Sequence, residues 1–323
     1  DAVSISANAV INGTLTVAGA VSLASTLSVG SNATFLADST FKTNVSVSGN
    51  TNLGGTVTVG GAVSLASTLS VGGVANFADT VTIAGAVSLA STLSVGGAVN
   101  LASTATVVGA ATFKDDVSVS GNTNLGGTVT VGGAVSLASS LSVGGVANFA
   151  DTVTIAGAVS LASTLSVGGA TNFATTVTVV GTGTFKSHVS VSGNLDVAGN
   201  VSVGGTVFAT GGITFDGDIS VSGDLNVGGT LTVAGATSLN STLSVGGATN
   251  LLSTVTVAGA TGFLGSVRVS GATSVSNANV GGTLTVAGAV SLASTLSVGG
   301  ATNLLSTVTV AGATGFLGSV RVS

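Results

Sequence analysis

The sequence contains no proline, cysteine, methionine, tryptophan or tyrosine, and only 5% of its 323 residues are charged. Glu and Gln are missing as well. Each absence removes a class of explanation. Without cysteine there are neither disulfides nor thiolate metal ligands, and nothing indicates a redox compartment. Without proline no turn is fixed by a pre-set φ, so corners must be made by other residues. An alphabet of Gly, Ala, Val, Leu, Ser, Thr and Asn, with little else, lacks the varied acids, bases and nucleophiles on which catalysis draws, and no catalytic site is expected. The cations Lys42, Lys114, Lys186, Arg268 and Arg321 are scattered in a chain of net charge −5. They form no basic stripe, so nucleic acid is not an expected partner. Although 45% of the residues are hydrophobic, Ser, Thr, Asn or Gly interrupts every apolar run well short of the ~20 residues of a spanning helix, and membrane insertion is not expected. No signal-peptide pattern is present. A start at Asp1 rather than Met implies a processed product or the ordered part of a longer chain.

What is present is a repeat. Apolar residues recur two apart, then four apart: Leu15 and Val17, Val21 and Leu23, Leu27 and Val29, Val57 and Val59, Val63 and Leu65. The second member of each pair falls on every sixth residue from Ile5 to Val275, which is 46 units, with Ala209 the weakest member. After a one-residue phase break near 276–278 the series resumes at Val280 and runs to Val322, eight units more and 54 in all. Comparison of VSVSGNTNLGGTVTV from Val45 with SVSNANVGGTLTV from Ser274 places the missing residue, a Gly, before Asn277 at a turn. The whole of 1–323 therefore reads as one continuous array, with near-duplicate segments at 228–270 and 281–323.

Two apolar side chains flanking one small polar residue share a face of a short extended segment. Val and Thr enrichment favours strand over helix, and the Gly-Gly and Ala-Gly pairs are expected to supply positive φ and close backbone approach at corners. The fold class is thus all-β: an elongated β-helix or β-solenoid rod of six-residue strand-turn units. Val57, Val59, Val63 and Leu65 are expected inside, and Thr56, Thr58 and Ser64 outside. From Leu53 to Val191 the strongest core position alternates large and β-branched. Phe41, Phe77, Phe113, Phe149 and Phe185 stand 36 apart, whereas Phe208 is out of phase and expected to point outward.

The number of units per turn is approached through the AVSLAST-type segments, whose apolar step begins at Val21, Val63, Val87, Val135 and Val159. Their spacings share only the divisor six, with no preference for the eighteen of a self-stacking three-unit coil. That favours three walls from three copies, an intertwined trimeric β-helical fibre, with a single-chain left-handed β-helix as the alternative.

Text such as GGTLTVAGATSLNSTLSVGGATNL resembles the collagen-free repeat shafts of bacteriophage and large-virus tail or surface fibres. The resemblance implies a structural fibre or filament shaft, extracellular or on a virion surface, homotrimeric, without cofactors, any receptor-binding tip lying outside this segment. A bacterial surface adhesin stalk or self-assembling filament would use the same hexads.

The hexads also loosely match those of left-handed β-helix acyltransferases, whose catalysis needs a His. The single histidine, His188 in FKSHVSVSGN, aligns with Asn44 and Asp116 at intervals of 72 residues. A position that accepts His, Asn and Asp reads as polar surface. Asp115 with Asp116, and Asp216 with Asp218, could offer oxygens to Ca²⁺ but lack a converging loop. The steps Thr56/Thr58, Thr80/Thr82, Thr128/Thr130, Thr152/Thr154 and Thr176/Thr178 suggest an ice-binding face as a further alternative. No catalytic, cofactor-binding or metal-binding residue is assigned. Neither terminus carries a polar capping unit, which implies further repeats or sealing by another copy, end to end.

Overall fold

The computed structural model describes residues 3–323, all β and bend without helix. Asp1 and Ala2, part of the expected uncapped entry, lie outside the described residues. Two compact units are present, Asp1–Ser163 and Thr164–Ser323.

In the first unit 27 three-residue strands fall three to a coil, giving nine coils. Within the unit each strand up to Leu141–Val143 pairs in parallel with the strand 18 residues further on, as Val57–Val59 does with Ala75–Phe77. Successive strands lie on successive walls, so each coil is a triangle of three hexads and the chain is a β-solenoid. Thr58 and Ser64 are exposed between the buried pairs Val57/Val59 and Val63/Leu65. Thr56 is only half-exposed, because this corner residue is stacked between coils and donates its N–H to Asp38 Oδ1 at 2.8 Å. Each buried Val or Leu removes enough apolar surface from water to contribute about 1.5–3 kcal/mol.

One chain supplies all three walls, so the single-chain arrangement, the alternative of the sequence reading, is the one found. The AVSLAST spacings concealed this because the three walls obey one rule. Val21–Leu23 lies on one wall, Val63–Leu65 on the second and Val87–Leu89 on the third. A segment that fits any wall carries no memory of the coil.

The large and β-branched alternation does carry it. Three is odd, so a residue that alternates along the chain also alternates up the column formed by every third hexad. Val71 stacks between Leu53 and Leu89, and Val107 between Leu89 and Leu125. Val59 sits between Phe41 and Phe77, and Val95 between Phe77 and Phe113. Large and small layers interlock at interior density. A coil of two hexads would stack Leu on Leu.

The second unit follows the same scheme with one 17-residue coil: Val267–Val269 pairs with Leu284–Val286. The deletion shortens a corner by one residue, as the sequence suggested: Val257 and Ala260 pair with Val275 and Asn277. Around this corner Val255–Phe263 and Thr273–Val280 stay paired as nine- and eight-residue strands, each passing from one wall to the next. The Thr261 hydroxyl donates to the Asn277 carbonyl at 2.9 Å. Register is regained by Leu284, which pairs with Thr302. Phe208 points outward as expected, 49% exposed.

Glycines act differently from expectation. Among the described residues none has positive φ. They are required by contact between stacked corners: a Cβ on Gly73 would lie 2.6 Å from the Gly55 carbonyl carbon and 2.7 Å from the Thr56 nitrogen. Up one corner of the first unit Gly alternates with Ser, at Ser31, Gly49, Ser67, Gly85, Ser103, Gly121, Ser139 and Gly157. There is room for one side chain per two coils.

Two sets of substitutions follow. Gly73→Ala drives a methyl into the backbone of the coil above and is expected to destabilise by about 1–3 kcal/mol. Gly262→Ala, where nothing lies within 4 Å of the added carbon, should be neutral or slightly stabilising. Thr51 and Thr123 point inward with hydroxyls that lack partners; replacing either with Val should stabilise by about 1–2 kcal/mol. Denaturation midpoints of the purified variants check both.

Candidate functional site

The chemistry-bearing residues are concentrated at the corners. In the first unit Lys42, Asp79, Lys114, Asp115, Asp116 and Asp151 occupy one corner, between the walls carrying Val57–Val59 and Val63–Leu65. Asp38, at another corner, is the only other charged residue described there. The outward strand centres of that unit carry no charge, being nearly all Ser, Thr and Asn. Charge clustered on one corner leaves three flat neutral walls.

His188, Asn44 and Asp116 do one job. Each lies at the corner residue just before a strand and accepts the backbone N–H of the residue 18 further on. His188 Nδ1 accepts from Thr206 at 2.9 Å, Asn44 Oδ1 from Ala62 at 2.9 Å, and Asp116 Oδ1 from Ala134 at 2.7 Å. Asn32, Asp38, Asn194, Asn200 and Asp218 accept in the same manner from Asn50, Thr56, Gly212, Asp218 and Ala236. The strand ladder cannot satisfy a corner N–H, and an acceptor at the δ position of the coil before it does. The polar surface expected at these positions is therefore a structural ladder of side-chain acceptors. The common property of Asn, Asp and neutral His, a lone pair two bonds beyond Cβ, was the signal in the sequence.

Hydrogen bonds to backbone N–H groups also engage three of the four carboxylates considered for Ca²⁺, those of Asp115, Asp116 and Asp218. Asp218 Oδ1 is held by the Ala236 N–H, and Asp115 Oδ1 by the Asp116 N–H at 2.9 Å. Among the described residues no three His, Cys, Asp or Glu side chains converge as a metal site. Asp224 is held most firmly: its Oδ1 accepts from the Ser241 and Thr242 hydroxyls, each at 2.6 Å, and from the Thr242 N–H at 3.1 Å. These donors, the Ser241 hydroxyl foremost, lower its pKa from the ordinary 3.8 to about 2.

The Thr-x-Thr steps do not assemble into one array. In the first unit Thr58 and Thr130 lie on one wall, four coils apart, while Thr82 and Thr154 lie on another. Asn76, Ser94 and Thr112 stand between Thr58 and Thr130.

Small cavities lie in the interior. The cavity beside Phe113 and Leu125 is about 30 Å³, as is one beside Phe263 and Val280, and both are lined almost wholly by aliphatic and aromatic side chains. Two open grooves lie on walls. One of about 260 Å³ runs past Thr58, Asn76 and Ser94 to Lys114, whose neighbours in sequence are Asp115 and Asp116. The other, of about 420 Å³, runs past Thr232, Asn250 and Thr285 around Arg268.

Removing a corner acceptor should leave an amide unpaired. Asn44→Ala and His188→Ala are expected to cost about 0.5–1.5 kcal/mol each and to speed amide exchange at Ala62 and Thr206, whereas His188→Asn preserves both. The depressed Asp224 pKa places its contribution to stability above pH 4. That contribution declines as the carboxylate is protonated, from about pH 4 down through pH 2. Asp224→Asn should remove this part of the acid dependence, and a carboxyl-carbon NMR titration reads the group directly.

No protein-family model matches the chain, and no curated protein or solved structure was found to be similar to it.

Proposed function

We propose that the chain is a structural shaft, a segment of an extracellular or virion-borne fibre whose work is to hold distance, without a catalytic step. The observation that supports this most directly is the uniformity of each unit. Coil after coil has an inward pair that is mostly aliphatic and an outward residue that is mostly small and polar. The interior is filled by side chains and the walls offer only shallow relief. A solenoid of this kind resists bending because every coil is bonded to the next by parallel ladders on three walls. Wide and even distribution of stabilising contacts suits a spacer better than a centre of chemistry.

The resemblance of the hexads to viral fibre shafts supports a location outside the cell. The corresponding partner is another copy of the chain, in threes if the fibre is homotrimeric. Because each chain closes its own core, such a trimer would be an association of folded solenoids through their neutral walls.

Immunogold labelling of intact virions and of producing cells tests the location: label along projecting fibres is expected, and label confined to the cytosol would refute the proposal. Sedimentation of the purified chain tests the assembly, the expected mass being three times that of one chain.

A further inference from the structure

The groove around Arg268 is a different kind of surface from the rest of the second unit. The wall that carries it is formed by strand centres Asp196, Thr214, Thr232, Asn250, Arg268 and Thr285, each paired with the next. Asp196 is the nearest carboxylate on that wall and is four coils from Arg268, about 19 Å at ~4.8 Å per coil. Arg268 is thus an exposed cation with no acid beside it on its own wall, unlike Lys114 with Asp115 and Asp116.

The donors beside it are specific. Asn250 lies directly next to Arg268 in register. Its carboxamide lines the groove, and its Oδ1 is buried and has no partner. The Thr232 and Thr285 hydroxyls flank the pair along the wall, and Ser266 and Thr283 flank it at the corner. The groove is lined by a guanidinium, a carboxamide and hydroxyls, with exposed Ala248 at the corner and buried Leu231 and Val267 behind them. The lining holds no aromatic ring on which a base could stack.

The pattern occurs twice. In the duplicated segment Thr285, Asn303 and Arg321 stand where Thr232, Asn250 and Arg268 stand. Asn303 repeats the anomaly, its Oδ1 again buried and unpartnered beside an arginine. The two arginines lie on one wall three coils apart, about 14 Å at ~4.8 Å per coil.

We propose that this wall binds an acidic saccharide, one carboxylate on each arginine and its hydroxyls on the threonine and asparagine side chains. A planar carboxylate matches the guanidinium fork in a bidentate pair. Hydroxyl-rich rings match a lining that both donates and accepts, and the ~14 Å separation suits acidic units spaced along a short oligosaccharide. This adds a ligand to the shaft and does not depend on where the shaft is located.

The test is calorimetric titration of the full chain with tetragalacturonate, whose first and fourth carboxylates span the separation of the arginines, with neutral maltotetraose and with inorganic phosphate. Saturable binding of tetragalacturonate, with neither control bound comparably, is expected. Arg268→Gln should weaken it at least about tenfold, the loss of one charge-assisted pair, and Arg268→Lys should weaken it less. Arg268 is exposed, so far-UV circular dichroism of the variants should match that of the parent. Lack of saturable binding, equal binding of maltotetraose, or an affinity unchanged in Arg268→Gln would each overturn the proposal. Phosphate binding as tightly as tetragalacturonate would overturn the saccharide assignment and leave a plain anion site.

Discussion

Everything in this structure depends on the stacking of residue i on residue i + 18. Parallel ladders bring equivalent positions of successive coils into contact, so each side chain is chosen against copies of its own position. Phe41, Phe77 and Phe113 are separated by Val59 and Val95, Gly and Ser alternate up one corner, and the amides of Ala62 and Ala134 meet Asn44 and Asp116. Local rules of six residues and stacking rules of eighteen together account for the core, the corners and the neutral walls.

The inward and outward phase was legible in the sequence because a strand's period of two survives any choice of coil. Val57, Val59, Val63 and Leu65 lie where the hexad places them. The closure of the coil was harder to read. Shared segments such as AVSLAST fit all three walls, so their spacings reflect interchangeability alone. The parity of the Leu and Val alternation was the informative feature, together with the Phe spacing of 36 and the Lys42, Lys114 and Lys186 spacing of 72, both multiples of eighteen.

The roles of particular residues were less legible. His188 and Asp116 look like variable surface when judged by charge or size, and their function appears only when the amide that each accepts comes into view 18 residues later. Gly73 was expected to be needed for its freedom of φ, yet its φ is ordinary and the Gly55 backbone leaves no room for a methyl. The Arg268 groove had no local signal, since Thr232, Asn250 and Thr285 meet there only through stacking. Duplication of the segment hinted at it, because Asn303 and Arg321 keep the same company.

Equivalent walls have an evolutionary consequence. Gain or loss of a single hexad leaves every inward residue inward, so the core tolerates it, but it advances the rest of the chain by one wall and turns all downstream surface features through a third of a revolution. Such a change is a screw operation on the surface pattern. Three hexads together restore the pattern and merely shift it along the axis. Arg268 and Arg321 are separated by 53 residues, three full coils less the one residue lost at the shortened corner. Their shared azimuth is therefore preserved only by duplication in whole coils, which makes length freely adjustable in steps of eighteen and surface patterns vulnerable to steps of six.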